Sequence, residues 1–210
     1  MRICLIRHGK PKAIPGPDKL TAEGFGRWLR EFDATGIDPW ACPPEDVLET
    51  ARKCRAVVTS QMERAHASAR FLFPGSSILV EPLMNECGLP SLPLPLFNMA
   101  PSSWAALCRS LWFLGYCRGT ESVWHARSRA ARGAELLIRL AANNGSVAMV
   151  GHGMMNTFIG RELRRQGWSG PAWPGSRHWD MAVYTSMLEP IKGREVLAKR
   201  PRVRAADPAV

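Results

Sequence analysis

The chain has 210 residues, a length that suits one ordinary domain and is short for two. Apolar residues make up 46% and charged residues 22%, as in a typical globular protein, and no apolar run reaches the length of a membrane span. The composition therefore argues against a membrane-spanning protein.

The formal net charge of +10 is concentrated in part at residues 190–210, which carry six basic side chains against two acidic ones. Such a cluster is typical of a solvated tail, and no aromatic residues are interleaved with it to favour RNA or DNA. We predict one domain over residues 1–189 and a basic C-terminal tail over 190–210, with no membrane partner. A contact of the tail with nucleic acid or lipid is the alternative.

The first residues, Met1 to Arg7, form too short an apolar stretch for a secretion signal and have no cleavage site after them. The cysteines show neither a CxxC pair nor the spacing of a zinc site. They are Cys4, Cys42, Cys54, Cys87, Cys108 and Cys117. We expect free thiols in the core of a cytoplasmic protein, and no metal site.

The β-prone run from Arg2 to Ile6 ends abruptly at Arg7-His8-Gly9, and a proline-rich loop follows. Thr21 is a suitable N-cap for a helix from Ala22 to Ala34, in which apolar residues recur at helical spacing. These residues predict a strand, a loop and an amphipathic helix.

A second buried strand is predicted from Ala56 to Thr59. Ser60 and Glu63 have the spacing of a capping box, which predicts a helix through about Phe73. Arg64 then lies in the first turn of that helix, where the helix dipole disfavours a cation unless an anion binds there.

A third strand is predicted from Ser77 to Val80, followed by a segment rich in proline and leucine from Glu81 to Pro101. Two helices are then predicted, from about Ser102 to Tyr116 and from Glu121 to Ala142. The apolar stretch from Leu89 to Tyr116 is a candidate lid over the substrate, which favours a bulky or apolar leaving group.

The run from Ser146 to Val150 predicts another strand, which ends at Gly151-His152-Gly153 and continues as a helix. A last strand is predicted from about Met181 to Leu188. Because strands alternate with helices, we expect an α/β fold, a three-layer α/β/α sandwich in which helices cover both faces of a mostly parallel sheet.

Chemically versatile residues follow three of the predicted strands. Arg7-His8-Gly9 ends the first strand, Arg64 follows the second, and Gly151-His152-Gly153 ends the fourth. Ligands of such sheets bind beyond the carboxyl ends of the strands, where these residues are expected to meet. A neutral imidazole can attack phosphorus, and arginine binds phosphoryl oxygens with planar pairs of donors. The pattern therefore predicts a site for phosphoryl transfer.

The stretch Leu5-Ile6-Arg7-His8-Gly9 resembles the Arg-His-Gly signature of the histidine phosphatase superfamily. Other segments resemble further motifs of that family in the same order, namely Leu20 to Gly24, Thr59 to Ala69, Leu83 to Gly88, Gly119 to Ser122 and Val150 to Gly153. The resemblance extends over about residues 1–188. It implies a phosphoglycerate mutase-like fold and an enzyme that needs neither a metal nor a cofactor.

The resemblance also implies a catalytic set and a group of residues that contact the substrate. The catalytic set comprises His8, Glu86, Arg7, Arg64 and His152, and the contact residues are Gly9, Lys10, Thr21 and Gly153. His8 is implied as the phosphate acceptor and Glu86 as the proton donor, with the other members around the phosphoryl group. Glu81 stays open as the alternative acid because it lies in the same segment.

The function that these residues favour is hydrolysis of a small phosphorylated substrate. A phosphoglycerate mutase-type phosphotransferase and a catalytically silent module that binds a phosphorylated ligand are the alternatives. Mutases have an acidic residue or Gln and then Ser or Thr after Arg-His-Gly, whereas this chain has Lys10-Pro11, which argues against a mutase. The retained catalytic set argues against a silent module. The sequence indicates neither the substrate nor the oligomeric state.

Three further histidines lie in no motif and are expected to be surface or packing residues. They are His66, His125 and His178.

Overall fold

The structure is a computed structural model that describes residues 1–93 and 97–187. These residues form five strands and six α-helices. In chain order the elements are β1 (Arg2–Arg7), α1 (Ala22–Ala34), α2 (Glu45–Arg52), β2 (Ala56–Thr59), α3 (Glu63–Leu72), β3 (Ile78–Val80), α4 (Pro101–Phe113), α5 (Val123–Asn144), β4 (Ser146–Gly151), α6 (Gly153–Arg165) and β5 (Met181–Thr185). A single 3₁₀ turn, Pro82–Met84, follows β3.

The strands form one sheet in the order β3-β2-β4-β1-β5. The first four are parallel to one another, and β5 pairs antiparallel with β1 at the sheet edge. The predicted α/β fold with a mostly parallel sheet is confirmed. Because β1, β2 and β4 run in the same direction, their carboxyl ends lie at the same end of the sheet. The residues that follow these strands therefore lie near one another.

Helices cover both faces of the sheet. Successive side chains of a strand point to opposite faces, so the residues of β1 divide between two clusters. Ile3 and Leu5 pack with residues of α5 and α6, whereas Cys4 and Ile6 pack with residues of α2 and α3. These two clusters give the three-layer arrangement that the sequence predicts.

A third apolar cluster joins α1 to α4. Phe25 of α1 packs with Trp104 and Cys108 of α4, and the rings of Phe25 and Trp104 are stacked with their centroids 6.2 Å apart. The Trp104 indole Nε1 also donates a hydrogen bond to the Leu20 carbonyl at 2.7 Å. Helix α4, which contains much of the predicted lid, is therefore fixed to α1.

Most predicted elements are confirmed, with shifts of a few residues at their ends. The prediction is closest at α1, where the Thr21 hydroxyl accepts a hydrogen bond from the Gly24 amide at 3.0 Å. Helix α2 was not predicted from the sequence. It begins after Pro44, whose side chain cannot cap a helix, so the sequence gives no capping signal at its start. The helix also has only eight residues, which leaves little room for a helical pattern of apolar residues.

The capping box predicted at Ser60 and Glu63 is wrong. Helix α3 begins after Met62, and the residue at its N-cap makes no side-chain hydrogen bond to the helix. The Ser60 hydroxyl accepts from the Met62 amide at 3.2 Å and lies 2.7 Å from the Nε2 atom of His152. A distant contact therefore uses the hydroxyl that the local pattern assigns to the helix.

All six cysteines are free thiols, as predicted. Cys4, Cys87 and Cys108 are buried, but the prediction of a core position is wrong for Cys42, which is exposed in the loop before α2. Within residues 1–93 and 97–187, no helix combines the length and apolar character needed to cross a membrane.

Strand β5 ends at Thr185, and the predicted end at Leu188 lies outside the described residues. The basic tail over 190–210 also lies outside them. The single domain over residues 1–189 and the cytoplasmic location stay predictions.

Candidate active site

The site forms where the parallel strands β1 and β4 end side by side. Arg7 pairs in register with Gly151, and the His8 amide donates a hydrogen bond to the Gly151 carbonyl at 2.9 Å. The imidazole centroids of His8 and His152 are 5.2 Å apart, and both rings are buried. The structure therefore brings the two predicted histidines together.

A hydrogen bond fixes the tautomer of His8. Its Nδ1 atom lies 2.7 Å from the Gly9 carbonyl oxygen, which can only accept, so Nδ1 carries the proton. Burial lowers the pKa of His8 to about 3; the charges of Arg64 and Arg7 act in the same direction, and the Gly9 carbonyl opposes them. At neutral pH His8 is thus a neutral imidazole with a lone pair on Nε2.

Gly9 links the His8 loop to helix α3 and to a buried indole. Its amide donates to the Ser68 hydroxyl at 2.8 Å, and that hydroxyl donates to the Arg64 carbonyl at 2.6 Å. A Cβ atom at Gly9 would lie 2.3 Å from Cζ2 of Trp179, so only glycine allows this close approach.

His152 contributes a buried nitrogen with no partner. The Ser60 hydroxyl accepts from a backbone amide, so its own proton can be donated to His152 Nε2. His152 Nδ1 then carries the proton, and it makes no hydrogen bond with the part of the chain that the structure describes. Burial lowers the pKa of His152 well below its usual value, and the charges of Arg64 and Arg7 act in the same direction.

Arg64 is positioned by the C-terminal end of α1. Its guanidinium donates to Asp33 Oδ1 at 3.0 Å and to the Phe32 carbonyl at 3.4 Å, and it lies over the Phe32 ring, 5.0 Å from the centroid. The side chain is 4% exposed. Asp33 was not predicted, because its contact with Arg64 joins two helices that are distant in the chain.

Arg7 packs against the start of α6. A Cβ atom at Gly153 would lie 3.6 Å from the Arg7 guanidinium carbon. Burial lowers the pKa of Arg7, and the carboxylates of Glu86 and Asp180 oppose that effect. The Nε atoms of Arg7 and Arg64 are buried without partners among the described residues, so each arginine keeps an unused donor.

The Glu86 side chain lies against the N-terminus of α6, the helix that begins immediately after His152. Its Oε1 atom accepts from the Cys87 amide at 2.9 Å and the Met155 amide at 3.1 Å, and Oε2 accepts from the Met154 amide at 3.3 Å. The first amides of α6 have no partners within the helix, so they can bind the Glu86 oxygens and position this side chain beside His152.

Glu81 is directed to its own turn instead. Its carboxylate accepts from the Leu83 amide at 3.2 Å and so caps the 3₁₀ turn. The amide that binds the Glu81 carboxylate is local, whereas two amides of α6 bind Glu86 beside His152. The structure thus places Glu86, rather than Glu81, at the start of α6 beside His152.

Arg129 of α5 holds the segment that carries Glu86. Its NH1 group donates to the Leu83 carbonyl at 2.8 Å and to the Asn85 carbonyl at 2.7 Å. The same guanidinium forms a two-point ion pair with Glu121, with Nε donating at 3.1 Å. These bonds fix the backbone that precedes Glu86.

Arg109 of α4 holds the same segment from the other side. It donates to the Cys87 carbonyl at 2.7 Å and the Gly88 carbonyl at 3.3 Å, and its guanidinium lies over the ring of Trp112. Neither Arg109 nor Arg129 was predicted, because no local motif indicates which carbonyls a helix arginine will reach.

The predicted contact residues differ in their distance from His8. Lys10 is exposed two residues after His8, and its carbonyl accepts from the Asp38 amide at 2.7 Å. Thr21 begins α1, whereas Arg64 contacts the other end of that helix, which spans about 20 Å. The structure does not bring Thr21 to the group formed by Arg7, His8, Arg64 and His152, which we call the His8 cluster.

Thr21 instead lines a mostly apolar cavity of about 830 Å³ between α1, α4 and the segment after Glu86. Leu89, Leu92 and Trp104 also line it, so part of the predicted lid contributes to its wall. Residues 94–96 of that lid lie outside the described residues. No residue of the His8 cluster lines the cavity.

His178 is the main residue of this region that the sequence did not place there. It is exposed, as a surface histidine should be, but its ring centroid lies 5.6 Å from that of His8. It precedes β5, and β5 pairs with β1, which ends beside His8. No sequence signal predicts that antiparallel pairing or the contact that it produces.

A metal site is not formed by the described residues, which contain no group of three or more His, Cys, Asp or Glu side chains arranged to hold an ion.

No protein-family model matches the chain, and no curated protein sequence matches it significantly. Solved structures do match. A mycobacterial glucosyl-3-phosphoglycerate phosphatase is 16% identical with a TM-score of 0.56, over 87% of this chain and 88% of that one. A protein named mycobacterial hydrolase 1 is 17% identical with a TM-score of 0.55, over 87% of this chain and 89% of its own.

A candidate alpha-ribazole-5′-phosphate phosphatase from Escherichia coli is 15% identical with a TM-score of 0.51, over 78% of this chain and 79% of that one. The chain therefore has the phosphoglycerate mutase-like fold of these solved structures. Within this fold, the ends of β1 and β4 bring Arg7, His8 and His152 together. Arg64 of α3 lies close enough for its charge to lower the pKa of His8.

The buried imidazole of His8 should make the stability of the protein depend on pH. The pKa of His8 is about 3 in the folded protein and about 6.5 when unfolded, so the unfolded chain binds more protons below about pH 6.5. The free energy of unfolding should therefore decrease as the pH is lowered below about 6.5. At about pH 5 the His8 contribution to this loss is roughly 2 kcal/mol.

A His8→Asn variant cannot titrate at this position. Between about pH 7 and pH 5 it should lose about 2 kcal/mol less unfolding free energy than the unsubstituted protein, as measured by urea unfolding. His125→Asn, at an exposed position on α5, is the control and should keep the original pH dependence. Equal losses in all three proteins would contradict the burial of a neutral His8.

Proposed function

We propose that this protein is a phosphatase that hydrolyses a small phosphorylated substrate through a phosphohistidine on His8. The observation that carries this proposal is the state of His8. Its Nδ1 proton is used by the Gly9 carbonyl, and its lowered pKa keeps Nε2 unprotonated. A neutral imidazole with a free lone pair is the form that can attack phosphorus.

The surroundings of His8 suit the charge of a phosphoryl group. Arg7 and Arg64 remain cationic, and the buried Nε of each has no partner among residues 1–93 and 97–187. His152 adds a third nitrogen that has no partner among the same residues. Hydrogen-bond donors that are already fixed in place stabilise the negative oxygens of the transition state without reorganising. These three residues are therefore proposed to bind the phosphoryl oxygens.

In the first step, the Nε2 lone pair of His8 forms a bond to phosphorus while the bond from phosphorus to the ester oxygen breaks. Glu86, in its protonated form, gives its proton to the departing alcohol. In the second step, water attacks phosphorus, the nitrogen–phosphorus bond breaks, and the water proton passes to Glu86. Phosphate is released, and both His8 and Glu86 return to their starting states.

The nucleophile is tested by His8→Ala. This variant should lower kcat on p-nitrophenyl phosphate, assayed with EDTA present, by about a thousandfold or more, because no other neutral imidazole with a free Nε2 is available at that point. His125→Ala should leave kcat unchanged. If His8→Ala keeps its activity while remaining folded, phosphohistidine formation on His8 is excluded.

The acid is tested by the matched pair Glu86→Gln and Glu81→Gln. Alkyl alcohols need a proton to leave and p-nitrophenolate does not, so loss of the acid should slow alkyl phosphates by about a hundredfold or more and p-nitrophenyl phosphate much less. We expect this selective loss for Glu86→Gln alone. Its appearance in Glu81→Gln instead would transfer the role to Glu81.

The cations are tested by binding of inorganic phosphate. Arg64 is held by Asp33 and Phe32, so its donors are pre-positioned, and a charge-assisted hydrogen bond contributes about 1.5 to 3 kcal/mol. Arg64→Ala should weaken phosphate binding by roughly one to two powers of ten. Lys10→Ala removes an exposed, flexible cation and should have a smaller effect. Calorimetric titration of both variants gives the comparison, and a larger effect at Lys10 would contradict the proposed oxygen contacts.

A further inference from the structure

The nucleophile lies between two histidines that differ in exposure. His152 is fully buried 5.2 Å from the His8 ring, whereas His178 is exposed and lies 5.6 Å from it. His152 therefore belongs to the floor of the site, and His178 lies on its solvent side. A substrate that reaches His8 from solvent passes close to His178.

The backbone next to His178 is held in a costly conformation. Trp179 has a φ of 66°. Among residues 1–93 and 97–187, it is the one non-glycine residue with a positive φ. Its amide donates to the Arg7 carbonyl at 3.2 Å, and its indole Nε1 donates to the Ala41 carbonyl at 2.8 Å. Such a conformation costs about 1 to 3 kcal/mol and persists only where the surroundings enforce it.

The turn around His178 is fixed at a second point. The Asp180 carbonyl accepts from the Arg7 amide at 2.9 Å, and the Asp180 carboxylate accepts from the Arg177 amide at 2.6 Å. The backbone on the C-terminal side of His178 is thus bonded directly to the end of β1. His178 is consequently presented to the site by a rigid turn.

The side chains of His178 and Lys10 are both unpaired. Neither makes a hydrogen bond or ion pair with any other residue that the structure describes. Burial lowers the pKa of His178, as do the charges of Arg7 and Lys10, while the carboxylate of Asp180 opposes them. The imidazole of His8 also faces His178, and it is neutral. The positive charge that His178 faces therefore comes from Arg7 and Lys10.

We propose that His178 and Lys10 form a subsite for a second anionic group of the substrate, a carboxylate or a second phosphate, close to the phosphate that is transferred to His8. This inference rests on the proposed phosphatase function and adds the class of substrate. An anionic group placed there would accept hydrogen bonds from a ring N–H of His178 and from the Lys10 ammonium. Its negative charge would also raise the pKa of His178 and so favour protonation of the ring. The 5.6 Å between the His8 and His178 rings requires a short spacer between the two anionic groups.

The test compares esters that differ only in the second charge. One pair is 2-phosphoglycolate and 2-hydroxyethyl phosphate, and the other is the bisphosphate and the monophosphate of propane-1,3-diol. We expect the unsubstituted protein to have a kcat/KM about tenfold to a hundredfold higher for the doubly anionic member of at least one pair. The pair that shows the preference distinguishes a carboxylate from a second phosphate.

His178→Asn keeps a hydrogen-bonding side chain but cannot carry a charge. In this variant the ratio of kcat/KM values within the preferred pair should fall by about tenfold or more, and it should no longer rise as the pH is lowered. His125→Asn is the matched control and should keep both the ratio and its pH dependence. Because the ratio compares two esters in the same variant, a general change in activity cancels out of it. If His178→Asn does not fold, His178→Gln is used in its place.

The outcomes separate this inference from the proposed function. If the unsubstituted protein hydrolyses none of these esters and no p-nitrophenyl phosphate, the phosphatase proposal fails. If it hydrolyses phosphomonoesters with no preference within either pair, the subsite is disproved without any variant. An unchanged ratio in His178→Asn also overturns the role of His178.

Discussion

Removal of two guanidinium groups from water is the constraint on which the rest of the site depends. Isolated buried charges are costly, and each arginine has acidic neighbours that offset that cost. Arg64 is paired with Asp33, and Arg7 lies in the field of Glu86 and Asp180. The neighbouring imidazoles are neutral because burial and the same cations lower their pKa values. The result is a set of fixed donors beside an unprotonated nitrogen, which suits an anion.

The irregular segment around Glu86 satisfies a second requirement, that buried backbone carbonyls find donors. Arg129 and Arg109 supply these donors from two different helices. Helix α4 therefore has two attachments, one to α1 through Trp104 and one to the segment that carries Glu86. This arrangement connects the cavity wall to the candidate acid through a single helix.

The features that were predictable from the sequence are those with local causes. A β-prone run that stops at Arg7-His8-Gly9 indicates a strand end, and Thr21 before an amphipathic helix indicates a cap. Contacts between distant segments were not predictable. Ser60 has the spacing of a cap but bonds to His152, and His178 reaches the site through an antiparallel strand pairing. The side-chain periodicity of β5 gives no information about which strand it joins.

The position of β1 in the sheet has a consequence for the order in which the protein can fold during synthesis. β1 is made first, but its two neighbours, β4 and β5, are the last strands of the sheet to be made. Until then both edges of β1 lack their partners, and an unpaired apolar edge is prone to join other chains. The pairing from Arg2 to Thr185 also closes a long loop, which slows folding. The growing chain therefore carries His8 beside an incomplete sheet until β4 and β5 have been made.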